Sequence, residues 1–260
     1  MKFENTEVFN FEGALRGLRF PMQSGVKSDS HYCIPNECIQ CKGQDSRDNP
    51  YHWDICTGED INWTPYKIGQ NDMELCQRMI RAGSPNDKYL RQILIAMDIT
   101  GPLYWWKEMD TYKVGTVADS ESTMHKLAST PITIDCFETD DYKPDLEIVP
   151  ITGGLSEDEE TFSVRFGYEI NDVWENLIED LENLRQLYNK TKDVRYWKEL
   201  IRILPESWLQ KRHWTANYAV LRNIIRWRAN HKLTEWRQFV EFCKSLPYAN
   251  ELLFYNNTLI

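Results

Sequence analysis

Residues 215–228 read Thr215-Ala216-Asn217-Tyr218-Ala219-Val220-Leu221-Arg222-Asn223-Ile224-Ile225-Arg226-Trp227-Arg228. At 100° per residue, Asn217, Leu221, Ile224 and Arg228 fall on one face, and Arg222 and Arg226 point elsewhere. The spacing predicts a helix from about Thr215 to Ala229 whose apolar stripe is bracketed by an amide and a guanidinium. Both end groups need partners. In one arrangement Asn217 caps the helix and Arg228 pairs with a carboxylate of the protein. In the other, a ligand's phosphate or pyrimidine carbonyl accepts from the fixed fork of guanidinium donors. The spacing leaves both open.

On either side of this segment the pattern is helical. Val173, Leu177, Leu181, Leu184 and Leu187 recur at helical spacing, Tyr196 to Leu204 predicts a second helix broken by Pro205, and Leu233 to Ser245 a further one. Upstream, Asn71 reads as a cap before Met73, Leu75, Cys76, Met79 and Ile80, with Gly83 as the stop. Gln92 to Ile99 reads as a short buried strand closed by Gly101-Pro102. The segment Phe11-Glu12-Gly13-Ala14-Leu15-Arg16-Gly17-Leu18-Arg19 reads as an irregular entry or a phosphate-approaching turn. Residues 135–160 hold ten acidic side chains and one lysine, and predict a solvated loop or hairpin. The expected fold class is therefore α+β, helical in its second half, as one domain over residues 1–260 with residues 30–66 as a Cys/His-rich insertion.

The 260 residues carry 30 Lys and Arg against 40 Asp and Glu, a net charge of -10. This excludes a general nucleic-acid coat or a polybasic membrane binder, both of which need excess positive charge. Positive charge is nonetheless concentrated in residues 195–237, where ten Lys or Arg face three Asp or Glu. No apolar run is long enough to span a bilayer. Met1 to Phe20 lacks the continuous apolar stretch of a secretory signal, and seven scattered cysteines fit reduced thiols, so a cytoplasmic protein is expected. The 10 Trp, 13 Tyr and 10 Phe predict an aromatic core or aromatic pockets.

Within the insertion, Cys38-Ile39-Gln40-Cys41 forms a Cys-x-x-Cys knuckle and His52-Trp53-Asp54-Ile55-Cys56 adds a histidine and a cysteine. Three thiolates and one imidazole make a tetrahedral set for structural zinc: Cys38, Cys41, His52 and Cys56. The alternative is that these are reduced thiols without metal.

The C-terminal half carries a second pattern. Leu204-Pro205 is followed, twelve residues after the proline, by the asparagine of Thr215-Ala216-Asn217; Asn223 comes six residues on, Arg228 five after that, and Trp236 lies in the next predicted helix. In this order and spacing, clearest over residues 199–245, the chain resembles the flavin-dependent thymidylate synthase family. The resemblance implies that Asn217 and Asn223 help hold a flavin and that Arg228 binds the uracil nucleotide. Where the family has an arginine four residues before the proline, this chain has Ile201, with Arg202 one place later as a nucleotide-binding stand-in. A one-residue slip turns a helical side chain by about 100°.

The family's Arg-His-Arg signature, followed after seven residues by Ser, aligns here with Lys113-Val114-Gly115 and Thr123. Glu121 precedes that hydroxyl, and His125 stands where the family has an arginine. Lys113 keeps a charge at the cofactor edge but not the planar fork of arginine. Glu121, Ser122 and Thr123 are expected to contact the nucleotide, and the His125 imidazole is a candidate for proton exchange. The intervening Pro102 to Lys113 is dense in aromatic and charged side chains that suit either ring stacking or a core.

The resemblance implies an enzyme that uses FAD on a deoxyuridine monophosphate-like nucleotide. A folate would be the carbon donor and NADPH the reductant, in a homotetramer with sites at subunit junctions. Arg228, Glu121 and His125 are the residues expected at the chemistry. The altered signature also admits a related pyrimidine modification, or a nucleotide-binding or interaction protein without turnover.

Overall fold

A computed structural model of the chain describes residues 1–32, 66–141, 143, 145–148 and 168–257. They form two compact units. The first comprises residues 1–101, 105–120 and 211–260, and the second residues 102–104 and 121–210.

The first unit opens with strand β1 (Lys2–Phe9) and helix α1 (Phe11–Arg19), which together replace the irregular entry expected from the glycines. Gly13 permits a close approach, because a Cβ there would meet Asn10 Oδ1 at 2.2 Å. Phe11, Ala14, Leu15 and Leu18 bury one face of α1. Two short strands, β2 (His31–Tyr32) and β3 (Tyr66–Lys67), pair antiparallel and join the two ends of the Cys/His-rich excursion. The proposed zinc ligands Cys38, Cys41, His52 and Cys56 lie outside the described residues.

Helix α2 (Gln70–Ala82) stops at Gly83 as its sequence requires, with φ +69°. Its start differs from the expected Asn71 cap. The carboxylate of Asp29 accepts the Asn71 and Asp72 backbone N–H groups at 2.9 and 3.1 Å, so the cap comes from a distant residue. Strand β4 (Leu94–Pro102) follows, then α3 (Leu103–Met109) and strand β5 (Val117–Ser120).

In the second unit, α4 (Thr123–Ser129) is followed by the short antiparallel pair β6 (Glu147–Ile148) and β7 (Tyr168–Glu169). The long helix α5 (Ile170–Thr191) carries a reciprocal Glu169 and Asp172 capping box, and α6 (Val194–Ile203) is capped by Asp193. Leu127, Ile132, Phe137, Leu181, Leu200 and Trp208 form this unit's core.

Strand β8 (Leu209–Asn217) returns the chain to the first unit, where a four-stranded sheet has the order β1-β4-β8-β5. The expected helix at Thr215 is thereby corrected. Trp214 and Ala216 point inward from a strand, and helix α7 (Tyr218–Arg228) begins only after Asn217. Helix α8 (Thr234–Lys244) completes the unit, burying Trp236, Phe239, Val240 and Cys243. Among the described residues no helix is long and apolar enough to cross a membrane.

A buried ion pair fixes the segment after α1. Arg19 Nε donates to Asp72 Oδ1 at 2.5 Å, and the hydroxyls of Ser28 and Ser30 donate to Asp72 Oδ2 at 2.6 and 2.5 Å. Burial raises the Asp72 pKa, but these hydroxyls and the guanidinium outweigh it and hold the carboxyl below its ordinary value. A depressed carboxyl pKa contributes stability that is complete above the ordinary carboxylate range and is lost as the pH falls through the lowered value. Asp72→Asn is therefore expected to cost roughly 3–5 kcal/mol in urea unfolding at pH 7, since it leaves Arg19 buried without a countercharge. The deficit relative to wild type should shrink as the pH is taken below 4.

Candidate functional site

The residues singled out in the sequence divide between the two units. Lys113, Asn217, Asn223 and Arg228 belong to the first, and Arg202, Glu121, Ser122, Thr123 and His125 to the second.

In the first unit the site is built around Arg228, at the last turn of α7, where a cation also suits the helix dipole. Its Nη1 forms an ion pair with Glu108 Oε2 at 2.8 Å, and its Nε donates to the Tyr112 hydroxyl at 2.9 Å. The guanidinium carbon lies 4.6 Å from the Trp236 ring centroid and 5.7 Å from that of Tyr112, so two aromatic faces flank the charge. Trp236 is fully buried and donates its indole N–H to the same Glu108 oxygen at 2.8 Å. His231 Nε2 stands 3.7 Å from that oxygen. Nη2 of Arg228 and Oε1 of Glu108 keep no partner among the described residues, and the Arg228 side chain is 19% exposed.

Asn217 is 8% exposed and caps α7, its Oδ1 accepting the Val220 N–H at 3.1 Å. Its Nδ2 lies beside Gly115, whose φ is +82° and where a Cβ would sit 2.7 Å from that nitrogen. Only glycine adopts this backbone and leaves this space at low cost. Asn223 is exposed. Six residues advance a helix by about 600°, so the two asparagines do not share a face of α7. Lys113, the residue after Tyr112, is also exposed.

In the second unit Glu121, Ser122 and Thr123 lead into α4. The buried Gln210 amide donates to the Glu121 carbonyl at 2.9 Å and to Thr123 Oγ1 at 3.1 Å, which fixes this corner. The Glu121 carboxylate pairs with Lys126 at 3.1 Å, and His125 is exposed. Arg202 is exposed on α6 and pairs with Glu199, whereas Ile201 packs against the core. The single-residue slip thus has the expected effect: the apolar side chain faces in and the arginine faces out.

Glu108, Tyr112 and His231 had no assigned role in the sequence reading. Glu108 and Tyr112 lie four apart in the aromatic stretch, and Glu108 is the carboxylate of the arrangement in which Arg228 pairs within the protein. Nothing in the sequence pointed to His231.

No protein-family model matches the chain, and no curated protein matches its sequence. Its fold does match solved structures. The crystal structure of the flavin-dependent thymidylate synthase ThyX from Helicobacter pylori, complexed with FAD and dUMP, aligns over 100% of both chains with a TM-score of 0.58 and 18% identity. A second ThyX structure from Helicobacter pylori, also with FAD and dUMP, aligns over 99% of both chains with a TM-score of 0.56 and 17% identity. The chain thus has a mixed helix and sheet fold like that of ThyX.

The cap gives a direct test. Asn217→Ala is expected to lower stability by about 1 kcal/mol in urea unfolding, and Asn217→Ser to restore most of it, because a hydroxyl also accepts the Val220 N–H.

Proposed function

We propose that the chain is a flavin-dependent enzyme, a thymidylate synthase-like methyltransferase that transfers a one-carbon group to a deoxyuridine monophosphate-like nucleotide. The observation that carries the reading is Arg228, held between Tyr112 and Trp236 in a fold like that of ThyX, with one guanidinium nitrogen uncommitted. Glu108 and the Tyr112 hydroxyl fix the plane of the guanidinium, and Nη2 is left to donate to a carbonyl of the pyrimidine. Such a donor stabilises negative charge as it develops on the ring. The aromatic walls and the partial burial of Arg228 favour a flat base there more than a hydrated phosphate.

FAD fits the residues at the start of α7. Asn217 Nδ2 has no partner among the described residues, and glycine at 115 keeps the space next to it clear. Asn217 would donate to the flavin, with Asn223 and Lys113 at its edge. When bound, FAD supplies hydride chemistry at its isoalloxazine ring. Glu121, Ser122 and Thr123 would contact the nucleotide, with Arg202 joining only on release from Glu199, and His125 would exchange a proton. A folate as carbon donor, NADPH as reductant, a homotetramer and a cytoplasmic setting complete the proposal. The ion pair between Arg228 and Glu108 favours a second reading, a nucleotide-binding protein of the same fold without turnover.

The test is the visible absorbance spectrum of the purified chain with added FAD, followed by calorimetry with deoxyuridine monophosphate. A bound-flavin band that Asn217→Ser loses while keeping its stability supports the flavin site; no band in the wild type sinks the enzyme reading. Arg228→Ala is expected to weaken nucleotide binding by about tenfold or more, as loss of a charge-assisted hydrogen bond would. Nucleotide binding without a flavin band favours the second reading.

A further inference from the structure

A cleft of the first unit shares no residue with the Arg228 cluster. It encloses about 760 Å³ between the end of α1, the loop after it and α2. This is within the size range of small-molecule sites. Its charged lining consists of Arg19, Lys27, Arg78 and Arg81 against Glu74. Arg19 is 4% exposed, and its guanidinium is immobilised by the Asp72 pair and by Nη1 donating to the Ser24 carbonyl at 3.3 Å. Arg19 Nη2 has no partner among the described residues, nor do the exposed side chains of Lys27 and Arg78. Arg81 packs against the Tyr255 ring, its guanidinium carbon 5.6 Å from the centroid, and also donates to the Tyr255 hydroxyl. Glu74 is engaged by Gln70 at 3.0 Å.

We infer that this cleft binds a ligand through a diphosphate group. Asp72 neutralises Arg19, so three further cations face one carboxylate, and among the described residues two of them, Lys27 and Arg78, have no countercharge. Arg78 and Arg81 are three apart on α2, a spacing that puts their Cβ atoms about 5–6 Å apart on one face. Lys27 approaches from the loop after α1. Donors on two walls, spaced one helical turn apart, match adjacent phosphates better than a single one. Among the described residues the lining contains no aromatic ring, so recognition rests on phosphate charge and not on a stacked base. The N-terminus of α2 does not supply the donors, because Asp29 already caps it. The arginine-bearing segment that read as an irregular entry or a phosphate-approaching turn is instead a helix, and it delivers Arg19 to the cleft wall.

The diphosphate belongs either to a free molecule or to a dinucleotide cofactor, and a titration distinguishes them. Calorimetry of the full chain with inorganic pyrophosphate is expected to show saturable binding that weakens as salt rises. The double variant Lys27→Gln, Arg78→Gln should weaken it by about tenfold or more with an unchanged unfolding midpoint, since both side chains are exposed and unpaired. Arg228→Ala should leave it unaltered. Displacement of pyrophosphate by FAD assigns the cleft to a dinucleotide, and persistence of binding in saturating FAD assigns it to a free diphosphate. The inference is overturned by absent pyrophosphate binding, by binding that the double variant leaves intact, or by binding lost in Arg228→Ala. A short DNA duplex that competes as tightly as pyrophosphate overturns it as well, by making the cleft a nucleic-acid backbone surface.

Discussion

The indole N–H of Trp236 sets the arrangement around the candidate site. Trp236 is fully buried against Trp105 and Phe239, with ring centroids 5.1 and 6.1 Å away. A buried indole has one donor and no acceptor, and leaving that donor unmade in an apolar setting is costly. Glu108 supplies the acceptor and so brings a carboxylate to the edge of an aromatic core. The carboxylate in turn needs a cation, which arrives at the end of α7 as Arg228. Tyr112 completes the set by accepting from Nε and covering one side of the guanidinium. The position of Arg228 is therefore a consequence of α8 packing on α3, and any ligand reading starts from an arginine that is already half satisfied.

This explains which part of the site was legible in the sequence. Asn217 and Arg228 stand out because each places a polar group at one end of an apolar stripe, and the structure gives each a protein partner. Asn217 caps α7 and Arg228 pairs with Glu108, the arrangement in which the protein itself answers both groups. That arrangement does not consume every donor. Asn217 Nδ2 and Arg228 Nη2 remain without a partner among the described residues. Asn223 carried no such signature beyond its spacing, and on α7 it faces away from Asn217.

Helices were readable wherever an apolar stripe recurred at helical spacing, as in α5, α6 and α8. The strands were less so. In β8 the run Gln210-Lys211-Arg212-His213 is polar throughout and hides the period of two, which the structure restores through buried Gln210, Trp214 and Ala216. Gln210 reads as a surface residue, yet it is 9% exposed because it holds the corner at Glu121 and Thr123. Strand β1 is likewise rich in charge: Glu4 pairs with Lys211, and Asn5 with Asp98 at 2.9 Å. Such cross-strand polar pairs stabilise a sheet as apolar ones do, but no hydrophobic pattern announces them.

The same accounting changes the meaning of the positive charge in residues 195–237. Arg222 donates to the carbonyls of Leu252, Leu253 and Tyr255, closing the C-terminal turn. Arg212 pairs with Asp110 and lies 4.3 Å over the Trp106 ring, Lys211 pairs with Glu4, and Arg237 donates to the carbonyls of His231 and Lys232. A charge bound into such contacts contributes little field to attract a distant phosphate. The basic segment therefore works mainly as internal cross-linking. Among the described residues, cations without a countercharge occur elsewhere, at Lys27 and Arg78, outside the basic segment. Attraction of a phosphorylated ligand depends on which charges the fold leaves unpaired, and local composition does not reveal that.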